Sequence, residues 1–288
     1  GIAGIFHLTT PKPVDPQRVE AMTDALVHRG PDGGGVWTAP GVGLGHRRLS
    51  IIDVAGSPQP MHSPDGRAVI VFNGEIYNFR ELRRELEGEG ARFRTDGDTE
   101  VILAAWQRWG ADCLPRLHGM FAFALYDLDR RELFLARDRL GVKPLYTAML
   151  SDGSMAFASE LKGLLAHPLL RREVDPLAVE DYLAWSYVPD HRSFLKGVEK
   201  LPAGHFRLLR HDSPPAAPRQ WWDVSFADRD QGTTADLSAQ LLHHMREAVS
   251  SRMVADVPLG AFLSGGVDSS SVVALMAEIS QDPVRTCS

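Results

Sequence analysis

Four strand-like runs, at residues 121–127, 132–137, 145–149 and 155–158, follow one another with connections too short to hold a helix. Short connections between successive strands enforce antiparallel pairing, because a parallel crossover needs a dozen or more residues. Further strands are expected at residues 1–8, 42–49 and 68–73, helices at residues 16–28, 79–87 and 100–109, and a Gly-rich turn at residues 28–35. Many strands in hairpin order with few helices between them predict two stacked antiparallel sheets with helices packed outside. At 288 residues with 44% hydrophobic and 24% charged composition, the chain is long enough for a sizeable core.

The end of the chain follows a different logic. A strand at residues 257–263, a Gly-rich turn at 264–266, a helix at 269–279 and a strand from 284 to 288 make one βαβ unit. A parallel sheet needs cover on both faces, so this unit is expected to begin a longer α/β domain. A helix over residues 235–252 precedes it. Between the two regions, His211-Asp212-Ser213-Pro214-Pro215-Ala216-Ala217-Pro218 reads either as a linker, Pro-rich and stiff, or as a long surface loop. The domain boundaries expected are 1–208, a linker at 209–231, and 232–288.

Composition excludes several classes. Net charge is −6 and there is no Lys/Arg-rich run, which argues against a nucleic-acid surface. No apolar run reaches the roughly 20 residues that span a membrane. Residues 1–8 are apolar but too short for a secretion signal. The only cysteines, Cys113 and Cys287, make no disulfide framework, and Cys113 sits in an apolar context suited to a small core residue. No His/Cys cluster has metal-ligand spacing. A cytoplasmic protein is expected.

Ser264-Gly265-Gly266-Val267-Asp268-Ser269-Ser270 follows an apolar strand and opens a helix. Free N–H groups and the helix dipole make such a turn an anion site, and an Asp there can hold Mg²⁺ beside a polyphosphate. The plainer alternative is a strand–helix turn with a Ser/Asp N-cap. It is not a Walker A loop, since the spacing and the Lys are absent. Asn73-Gly74-Glu75 offers an Asn amide beside a Gly N–H, the donors of an oxyanion hole, or else a two-residue hairpin turn. Arg48 is either a carboxylate clamp or a surface arginine. Asp98, in Asp96-Gly97-Asp98-Thr99-Glu100, also suits a helix N-terminus.

Taken together, Gly1-Ile2-Ala3-Gly4, His28-Arg29-Gly30-Pro31-Asp32, Gly45-His46-Arg47-Arg48-Leu49-Ser50-Ile51-Ile52-Asp53, Asn73-Gly74-Glu75-Ile76-Tyr77-Asn78, Gly97-Asp98-Thr99-Glu100, Arg137-Asp138-Arg139-Leu140-Gly141-Val142-Lys143-Pro144-Leu145-Tyr146 and Ala158-Ser159-Glu160-Leu161-Lys162 resemble class II glutamine amidotransferases of the asparagine synthetase B type. The likeness runs in order along the whole chain and ends in the pyrophosphate loop. Amidotransferases that serve phosphoribosyl or hexosamine chemistry share the first domain but lack that loop.

The resemblance implies an α+β fold: a four-layer α-β-β-α N-terminal-nucleophile hydrolase domain, then the start of an α/β ATP-binding domain. It implies that Arg48 binds the glutamine α-carboxylate with Leu49, Ser50, Ile51 and Ile52 nearby, and that Glu75 and Asp98 receive the α-ammonium. Asn73 and Gly74 would form the oxyanion hole, and His28 and Arg29 the floor beneath the nucleophile. Leu263, Ser264, Gly265, Gly266, Asp268 and Ser269 would hold ATP, with Asp268 on Mg²⁺. Ammonia would pass to an adenylated carboxylate, by default aspartate, and a homodimer is a candidate assembly. Two alternatives stay open: a β-lactam-synthetase-like enzyme with a silent first domain, and a non-catalytic glutamine-binding module.

The family's nucleophile is a cysteine immediately before Gly-Ile-Ala-Gly, whose α-amine serves as base. The expectation is that the natural protein carries this cysteine ahead of Gly1. The polypeptide starting at Gly1 should not hydrolyse glutamine by a thioester route. Steady ammonia release from a preparation with that N-terminus confirmed by mass would refute this.

Overall fold

The computed structural model describes residues 1–227 and 231–288, so part of the linker expected at 209–231 lies outside the described residues. The elements run β1 (Ile2–His7), α1 (Pro16–Asp24), β2 (Gly33–Ala39), β3 (Val42–Arg48), β4 (Met61–His62), β5 (Ala68–Ile76), α2 (Phe79–Gly88) and α3 (Asp98–Trp109). They continue with β6 (Gly119–Asp127), β7 (Glu132–Arg137), β8 (Tyr146–Met149), β9 (Ser154–Ala158), α4 (Leu161–Leu165), α5 (Pro176–Trp185), β10 (Val198–Lys200), β11 (His205–Arg210) and β12 (Arg219–Gln220). Last come α6 (Thr234–Ser251), β13 (Gly260–Phe262), α7 (Val267–Ile279) and β14 (Arg285–Cys287). The chain divides into two compact units: Gly1–Ser50 with Ala55–Asp223, and Ile51–Val54 with Val224–Ser288.

The first unit holds two six-stranded antiparallel sheets, ordered β10-β8-β9-β1-β3-β2 and β12-β11-β7-β6-β5-β4. Strand side chains alternate between faces, so each sheet has an inner and an outer set. The inner faces meet through Ile2, Phe6, Leu44, Val69, Val71, Leu133, Leu135 and Phe157, all fully buried. The outer face of the first sheet, with Ala3, Ile5 and Ala156, packs on Val19, Met22 and Leu26 of the α1 region and on Leu164 of α4. On the outer face of the second sheet, Trp106 of α3 stacks on Phe134, with ring centroids 4.6 Å apart. The layers are therefore helix, sheet, sheet, helix, as expected.

Glycine at position 4 is a packing requirement. A Cβ there would run into the Gly43 carbonyl and the Phe157 ring, so β1 lies closer to its surroundings than a side chain would permit.

Three local expectations change. The helix expected over 16–28 stops at Asp24, and Val27–Arg29 forms a 3₁₀ turn. The Gly-rich stretch read as a turn enters β2 at Gly33, where pairing with β3 (Gly33↔Arg48 to Ala39↔Val42) overrides the weak strand propensity of glycine. Asn73-Gly74 is not a hairpin turn: β5 runs on to Ile76, paired without interruption to β6 (Gly74↔Phe121, Ile76↔Gly119). The strand expected at 68–73 is longer because its partner strand is long.

In the second unit, α6 starts in a capping box in which Thr233 and Asp236 exchange hydrogen bonds. β13 and β14 pair in parallel across α7, which is the expected βαβ order, with β13 shorter than the run 257–263 suggested. Among the described residues no helix is long and apolar enough to cross a membrane.

The Phe157 ring fills the space between the two sheets that Gly4 leaves open. Phe157→Ala should destabilise the first unit by about 3–5 kcal/mol, read from urea unfolding. A loss under about 1 kcal/mol would show that the sheets close over the gap.

Candidate functional site

β1 lies in the middle of its sheet, between β9 and β3. Its head is fixed from both sides. The Gly1 amine donates to the Arg47 carbonyl (2.6 Å) and the Arg47 N–H returns a bond to the Gly1 carbonyl (2.8 Å). The Ile2 N–H donates to Ser159 Oγ (2.9 Å), and Ser159 N–H to the Ile2 carbonyl (2.9 Å). Beside it, the Glu160 carboxylate accepts from Arg29 (2.8 Å) and His28 (3.1 Å) and pairs with Lys162 at 3.3 Å. Partial burial opposes ionisation of Glu160, but these partners hold its carboxyl down at about 2. Burial, then Arg29 and Lys143, disfavour a positive charge at the head of β1, with Glu160 opposing. The head of β1 is thus a partly dehydrated, electropositive position.

Asn73 and Gly74 lie in the body of β5. The side-chain Nδ2 of Asn73 is buried and has no hydrogen-bond partner. An unmet buried amide costs about 1–3 kcal/mol, and most native ones mark a site that something else completes. Gly74 admits no side chain, because a Cβ would strike the Met120 carbonyl. The backbone just before this pair is clamped: Gln59 Oε1 accepts from the Phe72 N–H (2.6 Å), and His46 Nε2 lies 3.0 Å from the Phe72 carbonyl. Burial pushes His46 down to about 3, so the ring is neutral and must donate Nε2–H to that carbonyl.

Glu75 is buried in β5, and Asp98 begins α3 with its Oδ2 accepting from the Ile76 N–H (2.9 Å). Burial raises the Asp98 carboxyl to about 6 against hydrogen bonds from Ile76 and Thr99 that favour the anion. Arg48 ends β3. The turn after it is pinned by Asp32, whose N–H donates to the Arg48 carbonyl (3.0 Å) and whose Oδ2 accepts from the Ser50 N–H (2.9 Å). Leu49 is exposed. Ile51 and Ile52 group with the second unit, where the Ile51 carbonyl accepts from the Asp256 N–H (2.9 Å).

The Arg137–Tyr146 motif proves to be a scaffold. The Asp138 carboxylate accepts from the N–H groups of Phe121, Leu140, Val142 and Lys143 at 2.9–3.1 Å. Arg137 binds the carbonyls of Lys143 (2.9 Å), Leu201 (2.7 Å) and Gly141 (2.8 Å). The loop so held carries Lys143, whose ammonium is lowered by burial and by Arg29, while Asp138 and Glu75 act to raise it.

In the second unit, the Leu263 N–H donates to the Cys287 carbonyl (2.7 Å), and Gly265 turns the chain at φ +81°. α7 then starts at Val267 with Gly266 as a cap that makes no side-chain hydrogen bond. The alternative Ser/Asp N-cap does not form. Ser264 Oγ and Ser269 Oγ lie 3.1 Å apart, and Asp268 is in the exposed first turn. Among the described residues no side-chain cap hydrogen bond closes the start of this 13-residue helix, an arrangement that suits phosphate oxygens. On α6, the ligand atoms of exposed His243, His244 and Glu247 lie within 4.8 Å of one another, a spacing that also describes ordinary surface ion pairs one turn apart. Cys113 is fully buried, its thiol pushed up to about 12 by burial, and is a core residue.

The glutamine amidotransferase domain family matches residues 1–222. The chain belongs to that family. The asparagine synthase family matches residues 240–288. A putative glutamine-hydrolyzing asparagine synthetase of Mycobacterium bovis is 45% identical over 268 residues, covering 86% of this chain and 40% of that protein. Glutamine-hydrolyzing asparagine synthetase 3 of Bacillus subtilis is 36% identical over 281 residues, 96% of this chain and 45% of that protein. The chain thus spans less than half the length of these relatives. Glutamine phosphoribosylpyrophosphate amidotransferase of B. subtilis shares the fold, with a TM-score of 0.58 at 17% identity over 99% of this chain and 65% of that one.

Sequence reading gave no role to His46, Asp32, Ser159, Asp138 or Lys143, although each stands in a quoted motif. Their signal was a charged or polar residue inside a motif whose neighbours already had roles.

Asp98 generates a stability prediction. Its folded pKa, about 6, lies above the ordinary aspartate value of about 3.9. The native state therefore binds more protons between those values, and this contribution to stability is lost as pH rises through about 6. Asp98→Asn removes the buried charge while keeping an acceptor for Ile76. It should be more stable than the parent at pH 8, by up to about 3 kcal/mol, with the advantage gone by about pH 4. Denaturant unfolding at both pH values checks this, and an equal difference at the two would disprove the assignment.

Proposed function

We propose that the first unit is a glutaminase and that the natural protein uses the ammonia it releases to form an amide from an ATP-activated carboxylate, aspartate by default. The buried, unpartnered amide of Asn73 carries this reading. It is a donor held ready in a strand whose backbone is clamped on either side, next to two buried carboxylates.

In this reading the nucleophile is a cysteine immediately preceding Gly1 in the natural protein. The positive charge of Arg29 and Lys143 at the head of β1 favours a thiolate there. The thiolate attacks the glutamine side-chain carbonyl carbon, and the oxygen takes the electron pair facing Asn73 Nδ2 and the Gly74 N–H. Collapse expels ammonia and leaves a thioester, which water hydrolyses to glutamate. Arg48 takes the α-carboxylate, with Leu49, Ser50, Ile51 and Ile52 beside it, and Glu75 and Asp98 take the α-ammonium. That cation would keep Asp98 ionised despite its burial. His28 and Arg29, tied to Glu160, form the floor.

For the second half of the reaction, Leu263, Ser264, Gly265, Gly266 and Ser269 would hold the phosphates of ATP. Asp268 would face Mg²⁺, which offsets phosphate charge when bound. The carboxylate acceptor attacks the α-phosphorus, pyrophosphate leaves, and ammonia displaces AMP from the acyl-adenylate. The division into residues 1–208, a connecting stretch at 209–231 and an ATP-binding portion from 232, the cytoplasmic location and a homodimer belong to the same proposal.

The test uses the natural protein with its cysteine. Asn73→Ala should lower kcat for glutamine hydrolysis by about 10²–10³-fold with little change in KM, whereas Arg48→Leu should act mainly on KM. Glutaminase activity that survives Asn73→Ala at the parent rate would sink the proposal.

A further inference from the structure

Arg207 occupies a position where the fold has no structural need of a charge. It sits in β11 directly opposite Leu135 and two residues from Leu209, both of which belong to the core between the sheets. Residues two apart, and residues directly opposite in an antiparallel pair, share a face. Arg207 therefore points inward, and it is only 7% exposed.

Its guanidinium is poorly satisfied there. Nη2 donates to Glu199 Oε2 (3.1 Å), Nη1 reaches only the weakly accepting Met155 Sδ (4.0 Å), and Nε is buried with no partner. Among the described residues, the buried Nε atoms of Arg29 and Arg47 also lack a partner, but those side chains are 23% and 27% exposed, against 8% for Arg207. A dehydrated cation with a single carboxylate partner is costly. That partner is itself loosely held, because the Glu199 side chain is 68% exposed.

Arg207 and Glu199 line a cavity of about 340 Å³ whose other walls include Met149, Met155, Pro215 and Pro218. This lies near the lower end of small-molecule sites, roughly 300–1,000 Å³. It shares no residue with the glutamine site. One buried cation with unused donors, set among thioether and proline surfaces, selects an anion with an apolar body. The planar guanidinium fork matches a carboxylate better than a tetrahedral anion of similar size.

We propose that this cavity binds a small monocarboxylate with a short apolar tail: Arg207 takes the carboxylate, the methionines and prolines take the tail, and Glu199 swings outward to make room. The proposal does not depend on the glutaminase reading.

The test uses the whole chain with its methionine methyls carbon-13 labelled, titrated with butanoate, with butanamide as the uncharged isostere and with inorganic phosphate. Butanoate should shift the Met149 and Met155 methyl signals saturably and leave the other six methionines unmoved. Butanamide should not. Glu199→Gln removes the competing carboxylate at an exposed position and should tighten butanoate about two- to five-fold. Arg207→Lys keeps the charge but loses the fork, and should weaken it at least about ten-fold. No saturable shift, an equal response to butanamide, or unchanged affinity in Glu199→Gln would each overturn the proposal. Phosphate displacing butanoate from the same methyls with equal affinity would overturn the carboxylate assignment. Glu199→Gln keeps the test decisive if Arg207→Lys does not fold.

Discussion

The central position of β1 is the constraint on which the rest of the first unit depends. A strand flanked by β9 and β3 has both ladders satisfied, so its end can be placed without local freedom. Ser159 and Arg47 fix that end by reciprocal hydrogen bonds. The absence of a side chain at Gly4 lets Phe157 close the core beneath it. The first residue is thereby presented at one place, and Glu160, Arg29 and Lys143 set the charge around it.

The other side of the site is built on the second sheet. His46 crosses from β3 to the Phe72 carbonyl of β5, a polar link through the buried region between the two sheets. Gln59 holds the N–H of the same residue. Asp98 reaches back from the first turn of α3 to the far end of β5. Asn73 and Gly74 are held between these clamps, which leave that stretch of β5 little orientational freedom.

The site carries groups that the fold would be more stable without. Asp98 is a carboxylate in a dehydrated position, His46 is a histidine kept neutral, and Asn73 has an unused buried amide. Sites of function commonly break the rules that the surrounding structure obeys. The scaffold motif around Asp138 shows the opposite pattern. Its carboxylate meets four N–H groups and its neighbour Arg137 meets three carbonyls, so those charges specify one loop shape.

The order of strands and helices along the sequence was enough to read the pattern of layers. Strand runs in hairpin order from residue 121 to 158 suggest antiparallel sheets, although β7 and β8 fall in different sheets, and the alternation of apolar residues says which faces are buried. The strand–loop–helix order around Ser264 is the order the structure has. What local pattern misjudged was settled by partners distant in sequence. Glycines 33–35 read as a turn but form strand, because β3 is there to pair with them. Asn73-Gly74 has the chemistry of a hairpin turn but continues a strand, because β6 runs alongside for its whole length. The burial of Asp98 and His46, the charge that Lys143 brings to the head of β1, and the position of Arg207 inside the sandwich depend on which residues meet across tens or hundreds of positions. Hydrogen-bond pairing and desolvation act through space, and only the tertiary structure decides them.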